Sequence, residues 1–509
     1  MGHVSRRDFL RTGSAAALGI GVSSAVGGWL TAAPALGAPG DDTKAIKDLA
    51  RQLNGPLLLP GDAAYDAASA PANGRYRMVR PAAVAQCADE ADVVTCVKWS
   101  RKTGVPLVGR GGGHSYAGYS TTRGLLVDIG RLNSVTIDVA NGIAIAGGAA
   151  LNQNLYDATH DGPLFLPGGT CLGVGVGGLT LGGGIGYNTH WAGLTCDHLT
   201  ASEIVTASGE LLHIDDREHK DLFWACRGGA GGSFGINTSF TFELQEAPQS
   251  NVGWYKFTWT GADAAGAVLA AFDEILQSAP AAFNAVAMAQ ATPVGDGGPR
   301  AAIDVMSRGQ YIGPLAELGD LVAPLLSAAA PATQTLQEQT FWDTARMIAS
   351  PEPESHSFGD VSRYANRPIP ARAVEQVVDL LAECPSRSDD ANGAFWSLGW
   401  VGGDVVSSKQ RTDTAYVHRD ATTLLRPTTV WPDDAPPSVG DDLNAWTDDV
   451  IAVLDPHTPR ESYQNFPNRS IKDWKRQYYA ENYPRLVDVK TKFDPDDLFR
   501  NKQSIPPKR

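Results

Sequence analysis

Two dense clusters of glycine constrain what this chain can fold into more than any other feature of its sequence. The first, GRGGGHSYAGYS at residues 109–120, has four glycines within five positions just before a histidine. The second, GGTCLGVGVGGLTLGGGIG at residues 168–186, is denser still. Glycine has no side chain to fill a core, and it exposes the backbone so that a ligand can approach closely. The clusters therefore predict two loops that line a binding site.

A dinucleotide-binding motif of the form G-x-G-x-x-G occurs in the second cluster at residues 173–178, and Asp197 follows 19 positions later. In a dinucleotide-binding βαβ unit this motif must open a helix. The chain continues with LTLGGGIGY, and because glycine is a poor helix former we expect no helix there. The sequence also lacks the Gly-Lys-Ser/Thr of a phosphate-binding P-loop. Both of these nucleotide-binding units are therefore disfavoured.

The two loops can instead hold a ligand through their backbone. Consecutive exposed N–H groups form concave nests that bind anions such as a pyrophosphate. Each loop also carries one nucleophilic side chain, His114 or Cys171, which could bond to the aromatic end of a bound dinucleotide. On residue type alone the alternatives stay open: a turn histidine satisfied by backbone groups, and a small buried cysteine.

The order of β-rich and helical patterns predicts an α+β chain. From Arg77 to Gly113 the pattern reads strand, helix, strand and glycine turn, and the helix carries acidic residues early and basic residues late, as its dipole favours. Short β-rich runs, a helix and hairpin strands continue to Ala247.

A change of texture near Val252 marks a second α+β block, which we interpret as a sheet with covering helices. Its predicted strands lie within residues 253–261, 300–313, 394–403 (AFWSLGWVGG) and 414–419 (TAYVHR), and its predicted helices at 262–277 and 314–328. Its aromatic residues are either stacking platforms for sugar rings or sheet core: Trp396, Trp400, Tyr416 and those of residues 252–259.

The N-terminus has the features of an export signal. Residues 5–10, SRRDFL, form a twin-arginine pattern, a weakly apolar run follows to Leu30, and small residues suited to cleavage occur at 33–38. The run is short and rich in glycine, so we expect no permanent membrane anchor. The alternative is a disordered N-terminus with a chance arginine pair.

Charge and cysteine content exclude several classes of protein. The formal net charge of −14 disfavours a nucleic acid or an anionic membrane as partner, because both need clustered Lys and Arg. The six cysteines include no Cys-x-x-Cys pair, so neither a zinc module nor a disulfide scaffold is indicated, and we predict no metal site.

Four stretches in order, namely the two glycine clusters, SYQNF at 462–466 and the tail at 474–505, resemble the berberine-bridge-enzyme-like flavoprotein oxidases of the vanillyl alcohol oxidase/para-cresol methylhydroxylase (PCMH) superfamily. The resemblance covers roughly residues 77–505. It implies a two-part FAD-binding domain and an α+β substrate domain whose sheet is covered by helices. The implied parts are a signal peptide at 1–38, a lead-in segment at 39–75, a PCMH-type FAD-binding domain at 76–248, a substrate-binding domain at 249–455, and a C-terminal segment at 456–509 that returns to the FAD domain.

The resemblance also implies how the cofactor is held. In the family the histidine of G-G-H-S bonds the flavin 8α-methyl group and the cysteine of G-T-C bonds C6, which here implies FAD attached through both His114 and Cys171. The second loop departs from the family at Leu179, where the usual V-G-G-H has histidine, and this weakens the assignment of contacts there. Further implied cofactor contacts are Arg110, Gly111, Gly112, Gly113, Ser115, Gly169, Thr170, Val174, Gly177, Gly178, Gly183, Gly184, Tyr187, Gly235, Ile236, Asn465 and Asn482.

The implied catalytic base is the tyrosine of the Y-x-N motif, here Tyr463. A free phenol has a pKa of about 10, so a base that works near neutral pH needs donors or a cation to stabilise its phenolate. Tyr116 is the candidate hydrogen-bonding partner, and the alternative is that Tyr463 is a packed aromatic residue. Val174 takes the family position that lines the oxygen pocket beside flavin C4a, unless it merely packs in its loop.

The resemblance implies an exported oxidase that converts a hydroxyl of a glycoside or polycyclic natural product, as alcohol to ketone or hemiacetal to lactone, while dioxygen becomes hydrogen peroxide. The alternatives are a mono- or oligosaccharide oxidase of primary carbohydrate use, a quinone-linked dehydrogenase, or a flavin-containing binding protein without activity. An oxidative cyclase is disfavoured because it favours a carboxylate base, and only Glu461 lies near the motif.

Overall fold

The structure of the protein is a computed structural model that describes residues 39–292, 301–349, 356–385 and 393–508. The predicted signal peptide at 1–38 lies outside the described residues. Within those ranges, no helix combines the length and the apolar character that a membrane crossing requires. Helices and sheets alternate along the chain, which confirms the predicted α+β class.

The N-terminal part builds two small sheets that carry the glycine loops. Its strands are β1 (Leu57–Leu58), β2 (Ala83–Gln86), β3 (Leu107–Arg110), β4 (Leu125–Asp128), β5 (Val135–Asp138), β6 (Ile143–Gly147), β7 (Leu164–Phe165), β8 (Leu199–Thr206), β9 (Leu211–Asp215), β10 (Gly235–Glu243) and β11 (Gln245–Glu246). Its helices are α1 (Pro39–Ala50), α2 (Tyr65–Ser69), α3 (Glu90–Thr103), α4 (Asn152–Thr159), α5 (Val176–Leu181), α6 (Thr189–Ala192) and α7 (Lys220–Ala225). The sheet orders are β1-β2-β4-β3 and β5-β6-β10-β8-β9, and β7 pairs with β11.

Helix α3 shows how local sequence signals set an element of this part. The Asp89 carboxylate accepts a hydrogen bond from the Asp92 N–H, and Gly104 ends the helix with a φ of 75°. Val93 and Val97 are fully buried in the core beneath the first sheet. The strand–helix–strand pattern predicted for residues 77–113 is confirmed, and β3 delivers the chain directly into the first glycine loop.

The second part is built on one larger sheet. Its strands are β12 (Val252–Thr260), β13 (Phe283–Thr292), β14 (Ala302–Tyr311), β15 (Thr333–Gln339), β16 (Ser357–Asp360), β17 (Arg363–Ala365), β18 (Ala394–Trp400) and β19 (Thr423–Trp431). Its helices are α8 (Ala262–Leu276), α9 (Leu315–Ala328), α10 (Phe341–Ile348), α11 (Ala371–Ala382), α12 (Asp404–Ser407) and α13 (Pro437–Leu454). The order is β15-β12-β14-β13-β18-β19-β16, with β17 also paired to β19.

The two faces of this sheet have different neighbours. Trp396 and Leu398 on β18 are fully buried in the core that α8, α11 and α13 cover. Phe395 and Arg426 point the opposite way, since Arg426 reaches the first glycine loop. Because side chains alternate along a strand, one face of the sheet packs in the core and the other face is available to a ligand.

The aromatic residues of this part belong to the core. Trp396 and Tyr416 are fully buried, and the aromatic side chains of β12 are no more than 1% exposed. The side chain of Trp400 lies outside the described residues. The interpretation as sheet core is therefore confirmed for Trp396 and the aromatic residues of β12, whereas Tyr416 is buried in a loop outside the sheet.

The strand predicted for TAYVHR, residues 414–419, is wrong, because these residues form an irregular loop. Its polar side chains are buried and bonded elsewhere: Arg419 forms two hydrogen bonds with Asp197, at 2.7 and 2.8 Å, and His418 bonds Glu461. These side-chain bonds take the place of a strand ladder. Strand β19 begins after the loop, at Thr423.

The expectation that no helix opens at the G-x-G-x-x-G motif is also wrong. Helix α5 begins at Val176, but it is only six residues long and stops at Gly182. The strand before it, β7, pairs antiparallel with β11 and is not part of a parallel sheet. The glycines shorten the helix, and the surrounding unit is not a dinucleotide-binding βαβ fold.

The C-terminal segment folds back onto the first part through helices α14 (Trp474–Tyr479) and α15 (Tyr483–Phe493). Lys490, on α15, is fully buried and bonds the Asp494 carboxylate at 2.6 Å. The same ammonium group donates to the carbonyl oxygens of Ser233 and Phe499, at 2.7 and 2.6 Å. This buried cation fixes the segment against the loop that precedes β10.

Candidate active site

The two glycine loops pack backbone against backbone. A Cβ atom on Gly112 would lie 2.5 Å from the nitrogen of Gly175, and one on Gly175 would lie 2.7 Å from the nitrogen of Gly112. Neither position admits any side chain. Gly113 adds a φ of 74°, which turns the first loop toward His114. The glycines are therefore required by the contact between the loops.

Helix α4 holds the second loop in place. The Asn152 amide donates to the carbonyl of Cys171 at 2.9 Å, and the Asn152 N–H donates to the carbonyl of Val174 at 3.0 Å. The N–H of Val174 closes a turn onto the Cys171 carbonyl at 3.3 Å. The turn that carries Cys171 is thus attached to the first turn of a helix, which limits its motion.

Between the loops and the C-terminal segment lies a cavity of about 320 Å³. The described residues that line it include the cations Arg110, Arg426 and Arg500 and no aspartate or glutamate. Most of the predicted site lines this one cavity: His114, Tyr116, Cys171, Tyr463, Arg110, Gly111, Gly112, Gly113, Ser115, Gly169, Thr170, Val174, Gly177, Gly178, Gly235, Ile236 and Asn465.

Four predicted cofactor contacts do not line this cavity. Gly183 packs against the ring of Tyr416, and Gly184 lies behind Tyr463. Tyr187 lines a separate, smaller cavity. Asn482 is buried in the C-terminal segment, where its amide donates to the carbonyl oxygens of residues 411, 414 and 415. The glycine and tail motifs did not distinguish residues that face the ligand from those that support the wall.

Exposure distinguishes Cys171 from the other cysteines. Its side chain is partly exposed, whereas the other five are buried. His114 is also half-buried and begins a chain of ring contacts across the cavity. It meets Tyr116 at 5.6 Å between ring centroids, Tyr116 meets Phe466 at 5.1 Å, and Phe466 meets Tyr463 at 5.0 Å.

The Tyr463 hydroxyl is the acceptor of three N–H donors. They are the backbone N–H groups of Gly184 and Ile185, at 3.0 and 3.2 Å, and the amide of Asn465, at 3.2 Å. A neutral phenol oxygen has two lone pairs, so three inward donors match a phenolate better than a phenol. Burial raises the pKa of Tyr463 to about 12, against these donors, which lower it. The hydroxyl is therefore protonated at neutral pH, although the three donors would stabilise the phenolate once the proton is lost.

Sequence reasoning missed Arg426, which joins the two halves of the site. Its guanidinium donates to the Tyr116 hydroxyl at 3.1 Å and to the Asp360 carboxylate at 2.6 Å, and it lies 4.2 Å from the centre of the Phe466 ring. Burial raises the pKa of Asp360 to about 6, although Arg426 opposes that shift. A lone arginine in the β-rich run TTLLRPTTVW was the available signal, since a charge inside such a strand needs a buried partner.

A polar network supports Tyr463 from behind. The Tyr364 and Tyr416 hydroxyls are bonded at 2.8 Å, and the Tyr364 ring stacks on His418 at 4.2 Å. His418 bonds Glu461 at 2.7 Å, and Arg411 bonds the same carboxylate at 2.7 Å. These partners lower the pKa of Glu461 to about 2 although burial opposes them. Glu461 is thus committed to ion pairs and does not line the cavity.

Comparison with known proteins identifies the family. A model of the FAD binding domain matches residues 81–215, and a model described as berberine and berberine like matches residues 462–506. An uncharacterized FAD-linked oxidoreductase, YgaK of Bacillus subtilis (strain 168), is 32% identical over 444 residues, which are 84% of this chain and 92% of that protein. The chain belongs to the berberine-bridge-enzyme-like family. It is accordingly an FAD-dependent oxidoreductase.

Two solved structures share the fold over most of this chain. Physcomitrella patens BBE-like 1 has a TM-score of 0.80 at 25% identity and covers 91% of this chain and 99% of its own. An Acremonium strictum glucooligosaccharide oxidase, whose structure is described as revealing a novel flavinylation, has a TM-score of 0.79 at 25% identity, with 91% and 98% covered. This likeness agrees with the two-part architecture described above.

The residues of the main cavity fit FAD. The backbone cradle of Gly112 and Gly175 leaves no room for a Cβ, and the lining residues that the structure describes include arginines and no carboxylate, which suits a pyrophosphate. His114 and Cys171 lie on the two loops that form this cradle. The donor set is therefore that of an anionic dinucleotide site with two nucleophiles.

Proposed function

We propose that this protein is an exported oxidase that uses FAD to oxidise a hydroxyl of a glycoside or polycyclic natural product, with dioxygen as electron acceptor. The observation that carries the proposal is the Tyr463 hydroxyl, which meets three N–H donors in the same cavity as His114 and Cys171. The products are a ketone or lactone and hydrogen peroxide. Export rests on the twin-arginine pattern of residues 5–10.

We infer that FAD is bonded to both His114 and Cys171. The two residues line one cavity from two loops in direct contact, and Cys171 has the accessible thiol. The glucooligosaccharide oxidase whose structure is described as revealing a novel flavinylation supports covalent attachment of the flavin. Two links retain the cofactor in a site that stays open to a bulky substrate.

When bound, FAD supplies the acceptor for the hydride of the substrate carbon and passes the electrons on. The chain supplies the proton chemistry and the orientation. Tyr463 acts in its phenolate form, after its own proton has passed to solvent, and takes the proton of the substrate hydroxyl onto its Oη. The N–H groups of Gly184 and Ile185 stabilise the phenolate. Arg426 holds Tyr116 and keeps Asp360 charged beside the substrate face of the sheet.

A second candidate is an oxidase of mono- or oligosaccharides from primary carbohydrate use. The likeness to glucooligosaccharide oxidase favours it. A quinone-linked dehydrogenase is a third possibility, and it requires that dioxygen reacts slowly. Val174 lines the cavity beside the Cys171 turn, at the position that the family resemblance assigns to the oxygen pocket. A longer side chain there would take the space that dioxygen needs, so valine favours the oxidase.

The test is aerobic turnover of the purified holoenzyme on a panel of sugars, glycosides and their aglycones. Hydrogen peroxide is measured with a peroxidase-coupled dye, and products are identified by mass spectrometry as a loss of two hydrogens. Tyr463→Phe is the inactive control. Reduction by a substrate without peroxide, relieved by an added quinone, would assign the dehydrogenase. If no panel member bleaches the flavin, the proposal that the protein is an oxidase is contradicted.

A further inference from the structure

One face of the larger sheet continues from the wall of the main cavity. Alternate residues of β18 point into the core, so Phe395, Ser397 and Gly399 point to the opposite face. Ser397 is paired directly with Arg426 of β19, and Arg426 lines the main cavity. Residues paired in this way have Cβ atoms about 5 Å apart. The surface around Ser397 is therefore next to the cavity that holds Tyr463.

Gly399 leaves a gap in this face of the sheet. A Cβ atom added to Gly399 would meet no heavy atom of the described residues within 4 Å. Its partners on the neighbouring strands are Val286 and Leu424. Leu424 belongs to the same buried cluster as Tyr463, and Phe466, which packs against that cluster, lines the main cavity. Glycine inside a strand often marks a place where a ligand approaches the backbone closely.

The side chains beside the gap are mainly apolar. Met288 of β13 is paired with Ser397 on one side and with Met306 of β14 on the other. We call Val286, Met288, Met306 and Ser397 the methionine floor, and each of these residues is partly exposed. Ser397 contributes its one hydroxyl, and Gln290, two residues beyond Met288 on β13, lies outside it. Methionine is flexible and polarisable, so it adapts to apolar and aromatic surfaces.

The arginines next to the methionine floor have protein partners. Arg426 donates to the Asp360 carboxylate at 2.6 Å, which offsets its charge. Arg308, opposite Val286, donates to the carbonyl of Met347 at 3.3 Å. A bare sugar on this floor would leave most of its hydroxyls without partners, and each such loss costs free energy. A fused apolar ring system would instead bury its surface against the methionines.

We propose that the gap at Gly399 admits a fused apolar ring system of the substrate, which lies on the methionine floor while a hydroxyl faces Tyr463. Gly399 is then the residue that determines specificity, because any side chain there would occupy the space of the ring. This inference rests on the proposed function, and it selects the polycyclic class among the substrates named there.

The experiment uses the holoenzyme and two neutral probes of similar size. One is 1-acenaphthenone, a fused-ring ketone, and the other is methyl β-D-glucopyranoside. Equilibrium dialysis measures the affinity, and a shift of the flavin absorbance shows that the probe lies beside the cofactor. We expect the ketone to bind the wild type more tightly than the glucoside. Tighter binding of the glucoside, or a ketone that leaves the flavin spectrum unchanged, would overturn the proposal.

Gly399→Leu should weaken binding of the ketone about tenfold or more, because it places a side chain in the gap. The matched control is Gly319→Leu on α9, where an added Cβ comes no closer than 3.8 Å to Leu336. That variant should bind the ketone like the wild type. Equal affinity of Gly399→Leu and the wild type would contradict the assignment of the gap.

A second pair of variants tests the methionine floor without filling the gap. Met288→Gln keeps the length of the side chain and adds an amide, so binding of the ketone should weaken about three- to tenfold. Met78→Gln, at a residue that is 82% exposed, should have no effect. Flavin content and the thermal unfolding midpoint show that each variant is folded. An unchanged affinity in Met288→Gln would show that the ring does not lie on the floor.

The same data separate this inference from the proposed function. If the substrate panel bleaches the flavin but Gly399→Leu and Met288→Gln bind the ketone like the wild type, the inference is wrong and the oxidase stands. If both variants weaken the ketone, yet no panel member reduces the flavin, the ring site stands and the oxidase assignment is wrong.

Discussion

The hydroxyl of Tyr463 accepts a hydrogen bond from the backbone N–H of Gly184 at 3.0 Å, and this contact joins the C-terminal segment to the second glycine loop. A φ of 86° at Gly184 sets the direction of that loop. The positions are 279 residues apart in sequence. The donor to the proposed base Tyr463 is therefore part of the same glycine-rich segment that carries Cys171.

The first prediction concerns this base. Tyr463→Phe should retain flavin, and substrate should reduce that flavin about 10²–10⁴-fold more slowly, because the proton acceptor is lost. Anaerobic stopped-flow absorbance measures the rate, and Tyr311→Phe is the control. A rate within roughly threefold of the wild type would place the base elsewhere. Asp360 would then be tested before Glu461, whose carboxylate is held by Arg411 and His418.

The pH dependence of flavin reduction is the second prediction. Because the pKa of Tyr463 is raised to about 12, the fraction of phenolate grows with pH throughout the range where the protein is folded. The logarithm of the reduction rate should rise with a slope near one up to at least pH 9. A plateau reached near pH 6 would contradict Tyr463 and point to Asp360, whose pKa is raised to about 6.

The third prediction concerns attachment of the cofactor. Acid-precipitated wild-type protein should stay yellow, because the flavin is bonded to the chain. His114→Ala and Cys171→Ala should each retain it through the other link, and only the double variant should release FAD to the supernatant. Cys226→Ala, which changes a buried cysteine outside the cavity, is the control. Free FAD from the wild type would rule out covalent attachment.

Reaction with oxygen gives the fourth prediction. Val174→Leu adds a methylene to a residue that lines the cavity beside the Cys171 turn, so reoxidation by air should slow strongly while reduction by substrate is nearly unchanged. Val174→Ala, which only removes volume, should reoxidise at least as fast as the wild type. Double-mixing stopped-flow separates the two half-reactions. Equal reoxidation in Val174→Leu and wild type would refute the gate.

The fifth prediction separates the structural and catalytic tasks of Arg426. Arg426→Met leaves the fully buried carboxylate of Asp360 without its cation, and loss of one partner of a buried pair costs about 3–5 kcal/mol. The double variant Arg426→Met/Asp360→Asn should regain most of that free energy of unfolding but not the rate of flavin reduction. Urea denaturation and stopped-flow measure the two quantities. Recovery of both would show that Arg426 serves stability alone.

The cofactor side of the site was predictable from sequence because its signals are local. Glycines that must pass within van der Waals distance of each other leave runs in the sequence, and His114 and Cys171 sit inside those runs. The same runs wrongly predicted cofactor contacts at Gly183 and Tyr187, because a motif shows which residues occur together and not which of them face the ligand.

The substrate side was not predictable, because sheet topology assembles it. Arg426 meets Tyr116 across 310 positions, and no periodicity in either segment records that meeting. Asp360 reaches Arg426 only through the antiparallel pairing of β16 with β19. The loop at 414–419 misled us for a related reason: its β-prone residues are held by long-range bonds to Asp197 and Glu461.

The buried ammonium of Lys490 fixes the last wall of the main cavity, and this has a consequence for biosynthesis. Residues 463–503, which complete that wall, leave the ribosome after the rest of it has been made. The nascent chain can form the glycine cradle early, but the cradle has no cover until translation has passed α15. We therefore expect FAD to be captured only when the polypeptide is nearly complete, and a chain that ends before Lys490 should retain FAD poorly.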